Sequence, residues 1–166
     1  MLVEVKVFGL AMDPVTSTPI VILKDLEERR AIPIWIGLFE ASAIATQMEG
    51  VNLARPMTHD LMNEILNILE VKVLKVVITD LKSNTFFAVI HILKGEIPIT
   101  IDSRPSDAIA LALRADAPIF IDEKIIEKST NIDFGRKTAD LNKYTKEQLK
   151  EFLESLSSED FGKYKM

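Results

Sequence analysis

The side chains best able to do chemistry lie in two short segments, Arg55–Asp60 (RPMTHD) and Asp102–Asp107 (DSRPSD). A guanidinium binds phosphate with two parallel hydrogen bonds. An imidazole exchanges protons near neutral pH, and a carboxylate serves as a base or as a ligand for a hard cation. The two segments therefore contain the parts of a phosphate-binding or acid–base site.

The second segment leads into a helix, predicted at Ser103–Ala115, that is apolar on nearly every side. A helix that is apolar all round is buried, and a buried charge has to be paired or functional. After the first turn its only charges are Asp107 and Arg114, about 20° apart around the helix and about 10 Å apart along it. Two interpretations stay open. One is an internal Arg–Asp network, and the other is a polar pocket at the helix N-terminus that favours an anion such as phosphate.

The same segment belongs to a repeat. Ile97–Ala110 (IPITIDSRPSDAIA) and Ile32–Ala45 (IPIWIGLFEASAIA) both begin with IPIxI and end with AIA. Each segment covers the third strand and the helix of a predicted strand-strand-strand-helix run. We interpret this as a tandem duplication. Pro33 and Pro98 cannot donate a ladder hydrogen bond, so the third strand of each unit is expected to have an open edge.

The expected fold class is α+β: two tandem strand-strand-strand-helix units that form one mixed or antiparallel sheet domain, plus a C-terminal helix. Residues 1–130 are expected to hold this domain, residues 131–143 a polar linker, and residues 144–166 an amphipathic helix and tail. The C-terminal helix carries an apolar stripe at Leu149, Phe152, Leu153 and Leu156. Such a stripe needs a surface, on its own domain or on a neighbouring subunit.

A further helix is predicted at Thr58–Glu70, with Thr58 as its N-cap. Its apolar and polar side chains fall on opposite sides, and the polar side is expected to be mostly solvated. His59 lies at the edge of that side, where it could reach a cleft and titrate near neutral pH.

Composition excludes several kinds of site. The chain has no cysteine and only two histidines, which excludes a thiol nucleophile and argues against a transition-metal site. It has no Gly-rich phosphate loop, GxSxG or HExxH motif. Carboxylates that bind Mg²⁺ or Mn²⁺ remain open. Because the net charge is −5, any nucleic-acid role has to rest on a local cluster.

Nothing in the sequence indicates a membrane. The first residues alternate apolar and charged side chains, unlike a signal peptide. No apolar run approaches the roughly 20 residues that span a bilayer. We expect a cytoplasmic protein with no membrane partner.

Three segments together resemble the bifunctional nuclease (BFN) domain family. They are PIWIGLFEASAI at residues 33–44, RPMTHDL at residues 55–61 and DSRPSDAIALA at residues 102–112, in this order and spacing. The resemblance covers roughly residues 1–130. It implies an α+β fold, homo-oligomeric members, and both DNase and RNase activity.

By motif position the resemblance carries six candidate site residues to this chain: Glu40, Arg55, His59, Asp60, Arg104 and Asp107. The enzyme hypothesis is a nuclease that hydrolyses phosphodiester bonds in DNA and RNA with little sequence preference. Arg55 and Arg104 would bind phosphate, and His59 would act as a general acid or base. Asp60 and Glu40, or Asp107, would bind a divalent cation, Mg²⁺ or Mn²⁺.

The alternative is a non-catalytic ligand-binding, regulatory or structural oligomeric module, in which the same residues form a structural network. The acidic composition of the chain and the apolar helix predicted at Ser103–Ala115 favour this alternative. Exposure distinguishes the two hypotheses. Paired and inaccessible side chains indicate architecture, and side chains that meet at one open cleft indicate a site.

Overall fold

Seven strands and four helices follow one another in the computed structural model, which describes residues 1–130. The predicted linker at residues 131–143 and the predicted C-terminal helix at residues 144–166 lie outside the described residues. The elements are β1 Leu2–Met12, β2 Pro19–Asp25, β3 Ala31–Trp35, α1 Leu38–Met48, α2 Thr58–Ile68, β4 Val71–Lys82, β5 Thr85–Lys94, β6 Ile97–Ser103, α3 Pro105–Ala115, β7 Ile119–Asp122 and α4 Glu123–Thr130.

All seven strands form one mixed sheet in the order β3-β2-β1-β7-β4-β5-β6. Strand β7 pairs with β4 in parallel, and every other pair is antiparallel. This confirms the predicted α+β class with a mixed sheet. The three-stranded meanders β1–β3 and β4–β6 lie on either side of β7, and a helix follows each. Their origin in a tandem duplication stays a prediction.

The two edges of the sheet are β3 and β6, as the prolines predict. Pro33 lies within β3 and Pro98 within β6. A proline has no N–H to donate to a neighbouring strand, so it is tolerated at an edge and excluded from the centre of a sheet. The prediction of an open edge at the third strand of each meander is confirmed.

Helix α3 lies in the middle of the hydrophobic core. Ile109 and Ala110 are fully buried and Leu111 nearly so, and they share one cluster with Ile44 of α1 and Ile78 of β4. Helices α1 and α3 pack against each other, and their contact surface is rich in alanine, which allows close approach. The prediction that this helix is buried on all sides is confirmed. Within residues 1–130, no helix combines the length and apolarity needed to cross a bilayer.

The first turn of α1 lies close to the start of α3, although each helix follows a different edge strand of the sheet. Helices α1 and α3 pack against each other and belong to the same core cluster. This packing accounts for the contact between the two helix starts described below.

Helix α2 turns the start of its polar side toward α3, whereas Glu64 and Asn67 of that side are exposed as expected. His59 is buried, and Asn63 donates from its amide to the carbonyl oxygen of Arg114 at 3.3 Å. Leu61 and Ile65 on the apolar side are about half exposed. The N-cap is also Met57 and not Thr58. The reason is electrostatic: Arg114 of α3 is buried, and it requires a polar neighbour.

We expect Ile109→Ala to lower the free energy of unfolding by about 2–5 kcal/mol, because it leaves a cavity beside fully packed neighbours. The matched control is Ile68→Ala in α2, where the side chain is 72% exposed. This control should change stability by less than about 1 kcal/mol. Urea denaturation measures both values. Equal losses in the two variants would contradict the central place of α3 in the core.

Candidate functional site

Four of the predicted site residues form one chain of ionic hydrogen bonds. Arg104 donates from Nη1 to Glu40 Oε1 at 2.8 Å, and it donates to Asp107 from Nε at 2.6 Å and from Nη2 at 3.1 Å. Asp107 Oδ1 lies 3.0 Å from His59 Nε2. The chain joins α1, α2 and α3. The sequence repeat placed Glu40 and Arg104 at related junctions, and the structure brings them into direct contact.

Pro105 determines where Arg104 stands. A residue before proline is kept out of the helical region, and Arg104 is accordingly extended, with φ −69° and ψ 144°. Proline also suits the first position of a helix, because its missing N–H would have no partner there. Arg104 is therefore the N-cap of α3, and Asp107 follows in the first turn, where the helix dipole favours a carboxylate.

Asp107 stays ionised because of its partners. Burial alone raises the pKa of Asp107, but the hydrogen bonds from Arg104 and His59, together with the charge of Arg104, hold that pKa below its usual value of 3.8. An ionised carboxylate can only accept. The ring of His59 therefore carries its hydrogen on Nε2, which leaves Nδ1 as the basic nitrogen of the neutral ring.

Glu40 is folded back over the start of its own helix. A Cβ built on Gly37, the N-cap of α1, would overlap Glu40 Oε2, the far oxygen of that carboxylate. Gly37 has ordinary extended dihedrals, φ −74° and ψ 162°. A side chain at this position would displace the Glu40 carboxylate, so Gly37 leaves room for that carboxylate to reach Arg104.

A cleft of about 350 Å³ opens between the end of β3, the start of β5 and the N-termini of α1 and α3. Helices α1 and α3 both begin at this cleft, and no side chain caps either N-terminus. Free N–H groups at the start of a helix favour an anion. The side chain of Arg104 is 65% exposed at the rim. The cleft is lined by Thr18, Ile34, Trp35, Ile36, Gly37, Glu40, Asn84, Thr85, Phe86, Arg104, Pro105 and Ser106.

His59 and Asp107 do not line this cleft, although they support it. They lie on the other side of Arg104, and the side chain of His59 is only 10% exposed. Asp107 fixes two nitrogens of the Arg104 guanidinium, and His59 fixes Asp107. The geometry makes both of them positioning residues for Arg104.

Asp60 belongs to a second, separate ion pair. Its Oδ1 accepts from Arg114 Nε at 2.5 Å, and its Oδ2 accepts from the backbone N–H of Met57 at 2.8 Å. Arg114 also donates to the carbonyl oxygen of Ala110, and its side chain is 5% exposed. Burial raises the pKa of Asp60, but the hydrogen bonds from Arg114 and Met57 outweigh it and lower that pKa. Arg114 and Asp60 therefore lock α2 onto α3.

Arg55 lies outside the network. It is exposed in the segment before α2 and makes no hydrogen bond or ion pair with residues 1–130. Its predicted role in phosphate binding stays a prediction. The structure brings together Glu40, His59, Arg104 and Asp107, and it leaves Arg55 and Asp60 apart from them.

The described part of the chain contains no group of three histidine, aspartate or glutamate side chains placed to hold a metal ion. Glu40 and Asp60 are each bonded to an arginine instead. A cation would have to displace a guanidinium from either carboxylate. The two residues as arranged do not fit a metal ion, and the metal stays a prediction.

Sequence reasoning missed the other residues that form the cleft. Trp35 and Phe86 lie on strands from different meanders, and Asn84 lies in the turn between β4 and β5. Trp35 did carry a signal, because it is the only tryptophan of the chain and ends an edge strand two residues before Gly37. Phe86 and Asn84 carried none, because they are far from α1 in the sequence and only the tertiary fold brings them to the same cleft.

Comparisons with known proteins agree with the sequence motifs. A family model described as the bifunctional nuclease domain matches residues 21–133 of the chain. The chain is also similar to two proteins of Mycobacterium tuberculosis, Uncharacterized protein MT1877 of strain CDC 1551 and Uncharacterized protein Rv1829 of strain H37Rv. Each is 34% identical over 162 residues, which are 95% of this chain and 97% of the relative.

We expect Asp60→Ala to lower the free energy of unfolding by about 1–3 kcal/mol, because it strands the buried guanidinium of Arg114. The loss is below the roughly 3–5 kcal/mol of a fully buried pair because Asp60 is partly exposed. Glu27→Ala is the matched control. It also breaks a carboxylate–arginine pair, with Arg29, but both side chains are exposed, so its effect should stay within about 1 kcal/mol. Chemical denaturation distinguishes them, and equal effects would contradict the structural role of Asp60.

The same carboxylates predict how stability depends on pH. Asp60 and Asp107 have folded-state pKa values below 3.8, so the unfolded chain binds their protons first as the pH falls. Their stabilisation is complete above about pH 4 and is lost as the pH falls through the folded-state values. Denaturation midpoints measured from pH 6 to pH 2 should show a shallower acid dependence in Asp60→Asn. An unchanged profile in that variant would contradict this.

Proposed function

The chain belongs to the bifunctional nuclease domain family, and on that premise we propose that it hydrolyses phosphodiester bonds of DNA and RNA, with little sequence preference, at the cleft between α1 and α3. One observation carries the proposal. An exposed arginine, Arg104, stands at the rim of a cleft where two uncapped helices begin. A phosphate diester is the kind of anion that such a place favours.

In this proposal Arg104 exchanges partners when the substrate binds. In the free protein Glu40 occupies Nη1, and Asp107 occupies Nε and Nη2. A phosphate oxygen replaces Glu40, while Asp107 and His59 keep the guanidinium in place. The positive charge of Arg104 then stabilises the charge that develops on the phosphoryl oxygens in the transition state.

Glu40 is the carboxylate best placed to act as the base. It lines the cleft next to Arg104, so a phosphate on Arg104 brings the phosphorus atom near it. A water molecule adds to phosphorus, Glu40 accepts its proton, and one P–O ester bond breaks as the leaving oxygen takes a proton from solvent. His59 as acid or base stays a prediction, because the ring is buried behind Arg104.

The metal ion remains open to experiment, and the steps above do not depend on it. Glu40 and Asp60, the carboxylates predicted to hold Mg²⁺ or Mn²⁺, are each bonded to an arginine, so no step is assigned to the ion. A cleavage assay with and without EDTA, run on the same preparation, tests this directly.

The second candidate function is a non-catalytic ligand-binding or regulatory module. The observation that favours it is the closed ion pair, since Glu40 already occupies Arg104 and the Asp60–Arg114 pair is architectural. A purified chain that binds nucleotides but cleaves neither DNA nor RNA, with or without divalent cations, would establish this candidate and overturn the nuclease.

We also propose that the chain forms a homo-oligomer through the open edge of β6. Ile97, Ile99 and Ile101 point to the same face as Ile90 and Ile92 of β5. They are exposed nonetheless, because nothing in residues 1–130 covers them. An uncovered apolar edge strand favours pairing with another strand.

The sequence of β6 fits antiparallel pairing with a second copy of itself. Centred on Thr100, such a pair sets Ile99 against Ile101 of the other copy, twice, on the apolar face. Asp102, the one charge of the strand, faces Pro98 and not another carboxylate. The edge is therefore self-complementary, as a two-fold interface requires.

We expect Arg104→Ala and Glu40→Gln to affect phosphate binding in opposite directions. Arg104→Ala removes the cation, so kcat/KM should fall about 10²–10³-fold and inhibition by inorganic phosphate should be lost. Glu40→Gln removes the base, so kcat should fall about 10²–10⁴-fold, while phosphate inhibits more strongly because Arg104 is released. Steady-state kinetics with a phosphate titration measures both effects.

The control for this pair is Arg29→Ala, an exposed arginine in the β2–β3 turn that should keep full activity. Cooperative thermal unfolding of all variants excludes a folding defect. Full activity in Arg104→Ala or in Glu40→Gln would refute the assigned roles.

For the oligomer, we expect Ile99→Lys to produce monomers in size-exclusion chromatography with light scattering, because it places a charge in the β6 pair. Ile68→Lys, in the exposed side of α2, is the matched control and should leave the assembly unchanged. A third variant that ends before Thr145 tests whether the C-terminal segment holds the assembly instead. Dissociation by Ile68→Lys or by truncation, with Ile99→Lys still assembled, would overturn the role of β6.

A further inference from the structure

We infer that the cleft is a subsite for one unpaired nucleotide, whose base lies against the apolar wall at Phe86, Ile34 and Ile36 while its phosphate faces Arg104. The substrate class is then single-stranded nucleic acid or an unstacked strand end. The inference rests on the proposed function only in taking nucleic acid as the ligand, because binding of the nucleotide requires no cleavage.

The lining of the cleft divides into two parts. Ile34, Ile36 and the ring of Phe86 supply an apolar wall, and Arg104 with the N-termini of α1 and α3 supplies the charged rim. A phosphate alone would use the rim and leave the wall unfilled. A ligand that fills both parts has a flat apolar portion joined to an anion, which is the chemistry of a nucleotide.

Polar groups lie where the edge of a base would be recognised. Asn84 lines the cleft from the β4–β5 turn, where its backbone has a left-handed φ of 60°. An asparagine amide both donates and accepts hydrogen bonds, so it can bind the edges of different bases. Thr85 and Ser106 add hydroxyl groups with the same double capacity. Such groups are consistent with little sequence preference.

The dimensions exclude a paired base. The cleft holds about 350 Å³, within the range of about 300–1,000 Å³ that is typical of small-ligand sites. A base in a duplex is stacked and paired, and it can enter a pocket only after it leaves the stack. A single strand already presents its bases, so it enters without that cost.

The charge of the chain favours the same substrate. A protein that follows a duplex neutralises many phosphates and depends steeply on salt. This chain has a net charge of −5, and the cleft presents one arginine. Affinity therefore has to come from one phosphate contact together with the packing of one base, which is the balance found in single-strand binding sites.

Trp35 provides a direct readout of this binding. It is the only tryptophan in the chain, and its indole N–H donates to Asp13 Oδ2 at 3.0 Å, which fixes the ring at the end of β3. Any change in tryptophan fluorescence therefore reports the end of β3 beside the cleft and no other part of the protein.

The experiment titrates the full chain with four probes, namely adenosine 5′-monophosphate, adenosine, ribose 5-phosphate and inorganic phosphate. Fluorescence and isothermal calorimetry are recorded together. Adenosine 5′-monophosphate should bind saturably and change the fluorescence, and it should bind more tightly than adenosine or ribose 5-phosphate. Equal affinity for adenosine 5′-monophosphate and ribose 5-phosphate, or no heat and no fluorescence change with any probe, would overturn the subsite.

Variants of adjacent residues separate the two halves of the subsite. Phe86→Leu keeps an apolar side chain in the core but removes the ring, and it should weaken adenosine 5′-monophosphate about 5- to 150-fold, the range of one base–aromatic contact. The matched control is Phe87→Leu, the next residue on β5, which does not line the cleft. Arg104→Ala should weaken the monophosphate and leave adenosine unchanged. Equal effects of Phe86→Leu and Phe87→Leu would refute the base position.

Cleavage assays then distinguish a failure of the subsite from a failure of the nuclease. A single strand should be cut faster than the same sequence in a duplex, and Phe86→Leu should reduce that advantage. Nucleotide binding without any cleavage would refute the nuclease and leave the subsite intact. Cleavage of duplex and single strand at equal rates, unaffected by Phe86→Leu, would refute the subsite and leave the nuclease intact.

Discussion

The guanidinium of Arg104, shared between the carboxylates of Glu40 and Asp107, is the interaction on which the site depends. On one side the guanidinium binds Glu40 in the first turn of α1, and on the other side it binds Asp107 in the first turn of α3. Through Asp107 it also reaches His59 and hence the start of α2. Three helices that begin in different parts of the chain are thus oriented around one charge, and the mouth of the cleft takes its shape from that arrangement. The charge is stable in this position because two carboxylates neutralise it while the rim stays open to solvent.

Much of the fold follows from local patterns in the sequence. The alternation of apolar residues identified the strands, Pro33 and Pro98 identified the edges, and the apolar surface of α3 identified the centre of the core. Each of these signals is local, because the residues that carry it belong to one element. The orientation of α2 was not predicted, because it is set by a demand from outside the helix. A buried Arg114 draws the start of the polar side of α2 inward, and the apolar side is left exposed.

The sequence identified residues of the candidate site but not the contacts between them. Helical spacing paired Asp107 with Arg114, since both lie on one side of α3, but the structure pairs them with Arg104 and Asp60 instead. An arginine side chain is long enough to bind a carboxylate on another helix. The angular position of an arginine around its own helix therefore does not determine its partner. The meeting of Glu40 with Arg104 depends on the packing of α1 against α3, a long-range contact that no short segment encodes. The apolar wall of the cleft likewise combines residues of β3 and β5, which are far apart in the sequence.

The position of β6 has a consequence for how activity would be controlled. Strand β6 ends at Ser103, and the next residue is Arg104. Any strand that pairs with this edge restrains the backbone leading into the start of α3, so assembly and the geometry of the rim are thermodynamically linked. If the second copy supplies that strand, as proposed above, any activity at the cleft would rise with the concentration of the chain and fall on dilution. Assembly would then activate the cleft through mass action.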